Sequence, residues 1–198
     1  VFPSGFVASL RVQLRRPWCE TGKSRACRTV MTSGTPGASE RPRLMVSPRT
    51  LCFVFRNKLK EEVLLITYSK SKGEMKGWTN ALGGHIEAGE DIVASGIREV
   101  EEEAGICSQD IRNAAELSGI VHVSNFFGKA VMMFVLVMHI ESANSPASKE
   151  DWFYATDEGD VRWVKVEQLL NGDYGSDFKL FTDIPPLLHA ATVSDNKV

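Results

Sequence analysis

A stretch of 24 residues, 83–106, constrains the fold of this chain more than any other. It begins with the glycine-rich turn GGHIEAGE and holds seven carboxylates and one arginine in all. At 100° per residue, the apolar residues of 91–104 fall on one stripe of a helix. These residues are Val93, Ile97, Val100 and Ala104. The stripe predicts a helix that packs against a sheet.

The acidic residues of this helix lie away from the stripe. Glu99, Glu102 and Glu103 fall within an arc of about 100°. Like charges three or four residues apart repel by a few tenths of a kcal/mol per pair, so we expect something to compensate them. One interpretation is a solvated acidic face, because glutamate favours helices. The other is an oxygen-rich site for a hard cation such as Mg²⁺ or Mn²⁺, because Gly83 and Gly84 let the backbone approach a ligand closely.

The sequence around this helix predicts an α/β layered domain. The predicted strands are 50–56, 62–69, 116–126, 129–140 and 161–166. The first two are joined by the polar turn NKLKE and predict a hairpin, whereas the fourth is apolar enough to be central in a sheet. A polar loop is predicted at 70–77, and a helical turn follows the last strand. Strands with helices between and after them belong to the α/β class.

The first 46 residues differ from the rest in composition. They mix Arg, Ser, Gly and Pro without periodicity, which predicts disorder. Residues 1–50 carry nine Arg and Lys against two acidic residues, so the start is basic while the remainder is acidic. Such a leader is either an organellar transit peptide or sequence upstream of a true start at Met31 or Met45. We expect the domain at 47–192 and a flexible tail at 193–198.

Charge and cysteine content exclude several classes of function. The acidic body argues against binding to a nucleic-acid polymer, which needs a basic surface. The four cysteines form no CxxC pair, so neither a disulfide framework nor a zinc site is indicated. Cys52 and Cys107 are predicted to be core thiols in a reducing cytoplasm.

The longest apolar run, 130–138, is shorter than the about 20 residues of a membrane helix, so no membrane partner is expected. The chain is expected to be a monomer or a homodimer.

The acidic stretch resembles the signature of the Nudix hydrolases, G-x5-E-x7-R-E-U-x-E-E-x-G-U, where U is an aliphatic residue. Every fixed position is met, by Gly84, Glu90, Arg98, Glu99, Val100, Glu102, Glu103, Gly105 and Ile106. The order of strands and helices over about 48–190 is also similar to that of the Nudix α/β/α sandwich with its mixed β-sheet. The resemblance implies that fold for the domain.

The resemblance also implies a metal site and a reaction. Glu99, Glu102 and Glu103 correspond to the metal carboxylates and catalytic residues of the family, and the Gly83 carbonyl to a further oxygen ligand of Mg²⁺ or Mn²⁺. A metal-activated water would then attack one phosphorus of a diphosphate linkage, without a covalent enzyme intermediate. Glu158 matches the spacing of an additional acid in MutT-like members. It is a candidate catalytic base or extra ligand, or else an ordinary acidic turn residue.

Other positions of the signature are implied to support the site. Arg98 and Glu90 resemble paired charges that orient it, because a guanidinium can hold a carboxylate by two bonds. Gly84 and Gly105 are implied to shape its turn and its helix end. His85 and Glu87 occupy variable positions and are interpreted as solvent-facing or substrate-rim residues.

The substrate is predicted from sequence outside the signature. The chain lacks the SQPWPFPxS-like motif of NADH pyrophosphatases, the coenzyme A motif, and the proline expected within 107–128 of ADP-ribose hydrolases. What remains resembles the MutT-like branch, which hydrolyses nucleoside triphosphates such as 8-oxo-dGTP to monophosphate and pyrophosphate. Asn80 and Lys76 are candidate substrate-binding residues, although Asn80 is equally a turn residue that caps its own backbone. Alternatives are a dinucleoside polyphosphate or nucleotide sugar as substrate, or a non-catalytic binding module.

Overall fold

A computed structural model of the chain describes residues 45–111, 115–140, 145–149, 151–175 and 178–193. The expected leader lies outside the described residues except for Met45 and Val46, and the expected tail except for Val193. The first strand already begins at Val46, one residue before the expected start of the domain.

The described residues form eight strands and four α-helices, with short 3-10 turns at Lys70–Met75 and Pro146–Ser148. The strands are β1 (Val46–Phe55), β2 (Glu62–Tyr68), β3 (Trp78–Asn80), β4 (Glu116–Phe126), β5 (Lys129–His139), β6 (Phe153–Ala155), β7 (Gly159–Lys165) and β8 (Lys179–Leu180). The helices are α1 (Ile92–Ala104), α2 (Ser108–Ile111), α3 (Val166–Asn171) and α4 (Ile184–Val193).

The strands form one mixed sheet in the order β4-β5-β1-β2-β3-β8, with β7 pairing along β2 and β6 along β7. The central pair, β1 and β5, is parallel and runs from Val46 opposite Ala130 to Phe55 opposite His139. Because β5 lies between β4 and β1, the prediction of a central position for this apolar strand is confirmed.

Helices cover both faces of the sheet. Side chains of successive strand residues point to opposite sides, so a single strand can contribute to two cores. From β1, Leu51, Phe53 and Phe55 join one core, which also contains buried residues of α3 and α4. Cys52 and Val54 join the other core, which lies under α1. The predicted α/β/α sandwich with a mixed sheet is therefore confirmed.

Helix α1 confirms the prediction for 91–104. Its N-terminus is capped by Asp91, whose side chain accepts two backbone N–H bonds, and its C-terminus by Gly105 in the left-handed conformation. The helix lies close against the sheet at Gly96, where a Cβ atom would overlap the side chain of Leu136 on β5. The position of α1, and of the acidic residues that it carries, is thus set by direct backbone contact with the sheet.

The predicted hairpin of the first two strands is present only at its turn, where Phe55 pairs with Val63. Beyond that pair β1 and β2 separate, and the loop that contains the glycine-rich turn enters the gap. Cys52 N–H donates to the Leu82 carbonyl at 2.7 Å, and Thr50 N–H to the Gly84 carbonyl at 2.9 Å. The loop therefore takes the place of a neighbouring strand beside β1.

The prediction for the two cysteines is half right. Cys52 is fully buried, but Cys107 is exposed, so its assignment as a core thiol is wrong. Ile106 takes the buried position after the end of α1, which turns the next side chain toward solvent. Among the described residues, no helix is long and apolar enough to cross a membrane.

Candidate active site

A cavity of about 410 Å³ opens beside the loop that separates β1 from β2. Segments distant in sequence line it: β1, the first 3-10 turn, β3, the loop itself, α1, the turn before β7 and the residues that precede α4. The lining carboxylates are Glu87, Glu99, Glu102, Glu103, Glu158 and Asp183. Its lining cations are Arg49 and Lys72, so the cavity has a formal charge of −4.

The glycine-rich turn is held between β1 and α1. The Gly83 N–H of the turn donates a hydrogen bond to Oε2 of Glu103 on the helix at 2.8 Å. Gly84 lies directly against the Glu99 carboxylate, and a Cβ atom at this position would overlap that group. The role implied for Gly84, to let the turn approach the acidic residues, therefore has a steric basis.

Arg98 connects the acidic residues of the site. Its Nε and Nη2 bond to the two carboxylate oxygens of Glu90 at 2.8 and 3.1 Å, which is the two-bond contact implied for this pair. Its Nη1 bonds to Glu99 at 3.1 Å and to Glu102 at 3.0 Å. Nη2 also donates to the His85 carbonyl at 3.1 Å. One guanidinium thus joins the loop before the helix to two helical glutamates.

Burial raises the pKa of two of these carboxylates. Glu103 is only 3% exposed, and burial, together with its neighbours Glu158 and Glu99, raises its pKa to about 8 despite the N–H bond from Gly83. Burial likewise raises the pKa of Glu99, against the opposing effect of Arg98. In contrast, the hydrogen bonds from Arg98 lower the pKa of Glu90 to about 2. The helical glutamates therefore carry repulsion that Arg98 only partly relieves.

The donor chemistry of the site fits a hard divalent cation. Carboxylate and carbonyl oxygens are the ligands that Mg²⁺ and Mn²⁺ prefer, and the excess negative charge favours a cation. Nevertheless, no three acidic, histidine or cysteine side chains within the described part of the chain converge as a metal's ligands would. Arg98 holds Glu99 and Glu102, and the Gly83 N–H holds Glu103. Any cation at this site would therefore share these carboxylates with Arg98 and with the Gly83 N–H.

Glu158 lies in the same cavity as the helical glutamates, opposite the first 3-10 turn. Its Oε2 is 2.6 Å from Nζ of Lys72, a residue of that turn. The turn is therefore linked to the acidic residues by an ion pair.

The two candidate substrate-binding residues differ in position. Asn80 lines the cavity, where its Nδ2 donates to the Tyr68 hydroxyl at 3.3 Å and its Oδ1 accepts from Ala81 N–H at 2.9 Å. Lys76 is exposed at the end of the 3-10 turn and is not part of the cavity lining among the described residues. Lys72 of the same turn lines the cavity instead.

Sequence reasoning missed two residues that line the cavity, Phe181 and Asp183. Phe181 packs against Trp78 with ring centroids 5.1 Å apart, and burial raises the pKa of Asp183. The only local signal was an aromatic and an acidic residue just before an apolar helix, in the segment LFTDIPPLL.

The mouth of the cavity carries Arg49 and His85. Nη2 of Arg49 lies 2.7 Å from Nε2 of His85. Because a guanidinium only donates, this imidazole nitrogen is the acceptor and is unprotonated. His85 and Glu87 are exposed and line the mouth, in agreement with their interpretation as rim residues.

Comparison with known families identifies one match. The family model described as NUDIX domain matches residues 45–184, which includes nearly all of the described fold and the whole acidic loop and helix. No protein with a curated description matches the chain in sequence.

Solved structures resemble the chain at low sequence identity. The MutT protein from Methanosarcina mazei Go1 has a TM-score of 0.56 and 19% identity over 79% of this chain and 100% of its own. The C. elegans Ap4A hydrolase binary complex has a TM-score of 0.51 and 18% identity over 77% and 100%. A hydrolase from Nitrosomonas europaea has a TM-score of 0.54 and 17% identity over 76% and 90%. At such identities the likeness establishes the fold.

Proposed function

Because the chain belongs to the NUDIX domain family and is a hydrolase of a nucleoside diphosphate derivative, we propose that its substrate is a nucleoside triphosphate, with 8-oxo-dGTP as the best example. The products are the nucleoside monophosphate and pyrophosphate, and Mg²⁺ is the cofactor, which Mn²⁺ can replace.

The observation that carries the proposal is that one cavity holds both halves of such a site. Its lining includes the three carboxylates Glu99, Glu102 and Glu103, and it also includes Asn80 and Phe181. The carboxylates suit metal-bound phosphates. The other two residues offer an aromatic face and an amide with both a donor and an acceptor, which suit a purine.

The chemistry follows from these positions. When bound, Mg²⁺ would neutralise the phosphate oxygens and make a water molecule more acidic. A water oxygen would form a bond to one phosphorus of the α–β linkage as the bond from that phosphorus to the bridging oxygen breaks, which gives the nucleoside monophosphate and pyrophosphate. The proton of the water passes to a carboxylate, for which Glu158 is our candidate. Gly83, Glu99, Glu102 and Glu103 would hold the metal.

Arg98 and Glu90 act through these groups and do not touch the substrate in this scheme. Their two-bond contact fixes the loop before α1 relative to the helix. This contact keeps the Gly83 backbone and the helical carboxylates on the same side of the cavity. Gly84 and Gly105 contribute only shape.

The solved structures that resemble this chain are named for different activities, so they do not indicate which substrate it hydrolyses. One is a MutT protein and another an Ap4A hydrolase. A dinucleoside polyphosphate therefore remains the second candidate, because it carries the same diphosphate linkage.

The direct test is a panel of nucleotides assayed for release of phosphate and of pyrophosphate, with Mg²⁺, with Mn²⁺ and with EDTA. We expect pyrophosphate release from purine triphosphates, the fastest from 8-oxo-dGTP, and none in EDTA. Turnover in EDTA, or release of phosphate alone, would contradict the proposal.

The base-reading role of Asn80 has its own test. Asn80→Ala should lower kcat/KM for one purine by about 5- to 150-fold, because an unpaired buried polar group costs about 1–3 kcal/mol. Asn171→Ala, at the exposed end of α3, is the matched control. An equal loss for guanine, adenine and pyrimidine nucleotides would show that Asn80 only supports the backbone of the turn.

A further inference from the structure

Tyr68 lines the active-site cavity but takes no part in the chemistry proposed for the carboxylates. It is the last residue of β2 and is only 8% exposed. Its ring belongs to the core under α1, so packing fixes the position of the side chain. A buried hydroxyl needs hydrogen-bond partners, and the partners that this one has show what it can still bind.

A directed chain of hydrogen bonds reaches the Tyr68 hydroxyl. It begins at the Ala81 N–H, which can only donate and which bonds to Oδ1 of Asn80 at 2.9 Å. Nδ2 of Asn80 is therefore the end of the amide that faces Tyr68, and it donates to the hydroxyl oxygen at 3.3 Å. Because the phenol oxygen accepts this bond, its own proton points away from Asn80.

The proton of the Tyr68 hydroxyl is left without an acceptor. Within the described part of the chain, the bond from Asn80 is the single side-chain hydrogen bond of Tyr68. A buried donor without an acceptor is unfavourable, so an acceptor that enters the cavity beside Tyr68 gains a hydrogen bond.

Tyr68 and Asn80 lie on the same face of the sheet as the helical glutamates. Asn80 pairs with Ile66 across β2 and β3, and paired residues project to the same side. Ile66 and Tyr68 are two positions apart on β2, and both join the core under α1. Glu103 and Glu158 are close enough to raise the pKa of Tyr68, although burial is the larger cause. The hydroxyl is therefore a neutral donor beside the acidic residues.

The two cations that line the cavity are engaged with other groups. Nζ of Lys72 is 2.6 Å from the Glu158 carboxylate, and Nη2 of Arg49 donates to His85. A phosphate that enters an acidic cavity needs hydrogen-bond donors, because its oxygens lose those of water. The Tyr68 hydroxyl can donate without breaking an ion pair.

We propose that the Tyr68 hydroxyl donates a hydrogen bond to a non-bridging oxygen of the phosphoryl group that water attacks, and that Asn80 positions it. Tyr68 is then a catalytic residue, because it touches the group whose negative charge is spread over three oxygens in the transition state. The proposal rests on the proposed function, since it assumes that the scissile linkage lies at the helical carboxylates. The second amide proton of Asn80 stays available to a base.

The test removes the hydroxyl alone. Tyr68→Phe keeps the ring and should lower kcat/KM by about 10- to 150-fold, the range for one hydrogen bond to a charged group. The loss should be equal for guanine, adenine and pyrimidine triphosphates, because the contact is to phosphate. Tyr154→Phe is the matched control and should have no effect, since Tyr154 is exposed on β6 and lies outside the cavity lining of the described residues.

A binding measurement separates this contact from turnover. A dGTP analogue in which a methylene group replaces the α–β bridging oxygen cannot be cleaved there, so calorimetry with Mg²⁺ gives its Kd. Tyr68→Phe should weaken this Kd by about threefold or more, because the hydrogen bond already forms in the bound state. Thermal melts of the same samples check that the variant is folded.

The positioning role of Asn80 is tested by a double-mutant cycle. Tyr68→Phe should cost less in an Asn80→Ala background than in the wild-type chain, because the hydroxyl is no longer oriented there. Additive losses would overturn the role of Asn80.

A folded Tyr68→Phe chain whose Kd for the analogue is unchanged would overturn the proposal, and a fall in kcat alone would place the hydroxyl on the attacking water instead. A loss confined to one base would overturn it as well. A chain that hydrolyses triphosphates equally well with Tyr68→Phe loses this proposal alone. A chain that binds the analogue through Tyr68 but hydrolyses no nucleotide loses the proposed function alone.

Discussion

The active-site cavity adjoins a groove of about 330 Å³ between the start of β1, the first 3-10 turn and the β4–β5 hairpin. The two share four lining residues, among them the cations Arg49 and Lys72, but the cavity holds many more carboxylates. Six carboxylates and two cations line the cavity, whereas three cations and one carboxylate line the groove. Among the cavity carboxylates, Glu99 and Glu102 accept hydrogen bonds from Arg98, and Glu103 accepts one from the Gly83 N–H. The groove cations lie on a strand end, a 3-10 turn and a hairpin.

The difference indicates how a highly charged substrate is handled. Under the proposed function, metal ions would offset the repulsion between phosphates and the cavity carboxylates. Lys129 lines the groove and not the cavity, and because it is exposed, any attraction between it and a phosphate should fall with salt.

The largest effect should come from the cavity. Glu102→Gln or Glu103→Gln should lower kcat by about 100- to 1,000-fold, because each removes charge that stabilises the metal-bound transition state. Glu101→Gln is the matched control, since Glu101 is exposed on the same helix and does not line the cavity. A Glu103→Gln enzyme within tenfold of wild type would remove the basis for assigning chemistry to this region.

A smaller effect should come from the link between the loop and the helix. Arg98→Lys keeps the charge but loses the fork to Glu90, which should lower kcat/KM by about 10- to 100-fold. It should also raise the Mg²⁺ concentration needed for half-maximal rate, a change that simple destabilisation does not predict. Arg162→Lys on β7 is the control. An unchanged Mg²⁺ dependence would mean that Arg98 does not position the metal-binding carboxylates.

The pH dependence of stability should distinguish the two regions further. In the metal-free fold the pKa of Glu103 is about 8, above its ordinary value of about 4.5, so the folded state binds more protons than the unfolded state between these values. Stability should then fall as pH rises from about 5 to 8 in EDTA. Mg²⁺ should reverse the fall.

Thermal melts at each pH provide the measurement. Glu103→Gln should remove most of the decline and melt a few degrees above wild type at pH 8, at about 2–4 °C for each kcal/mol. Lys129→Gln, in the groove, should leave the slope unchanged. A wild-type Tm that does not depend on pH in EDTA would contradict the electrostatic account of the cavity.

The smallest effect should come from outside both regions. A chain shortened to begin at Met45 should retain its kcat/KM and its Tm, because the sequence before this residue has no apolar periodicity with which to join a core. A clear drop in Tm would show that the leader contributes to folding.

The acidic part of the site was predictable because it is local. Glu99, Glu102 and Glu103 follow from helical spacing within a single segment, and the fork between Arg98 and Glu90 spans only eight residues. Arg49, Lys72 and Asp183 come from distant segments and each is ordinary in its own surroundings. Lys72 lines the cavity, whereas Lys76, the predicted substrate-binding residue, does not, and an irregular turn has no period that shows which lysine points inward.

The fold was predictable to a similar extent. The apolar stripe of α1 and the length of β5 are local properties, and both are confirmed. The parallel pairing of β1 with β5 is not local, and adjacency along the chain favoured a hairpin between β1 and β2 instead. The loop that takes the place of β2 beside β1 is held there by backbone hydrogen bonds. Such bonds do not depend on which side chains are present, so the sequence shows no pattern that predicts them.

The parallel pairing of β1 and β5 also has a consequence for synthesis. Their first paired residues, Val46 and Ala130, are 84 positions apart. At about 5–20 residues per second, a ribosome exposes β1 for roughly 4–17 s before its partner exists. During that time an apolar strand has an open edge, and long-range pairings form slowly. We therefore expect this chain to depend on chaperones while it is being made, even though the finished domain is of ordinary size.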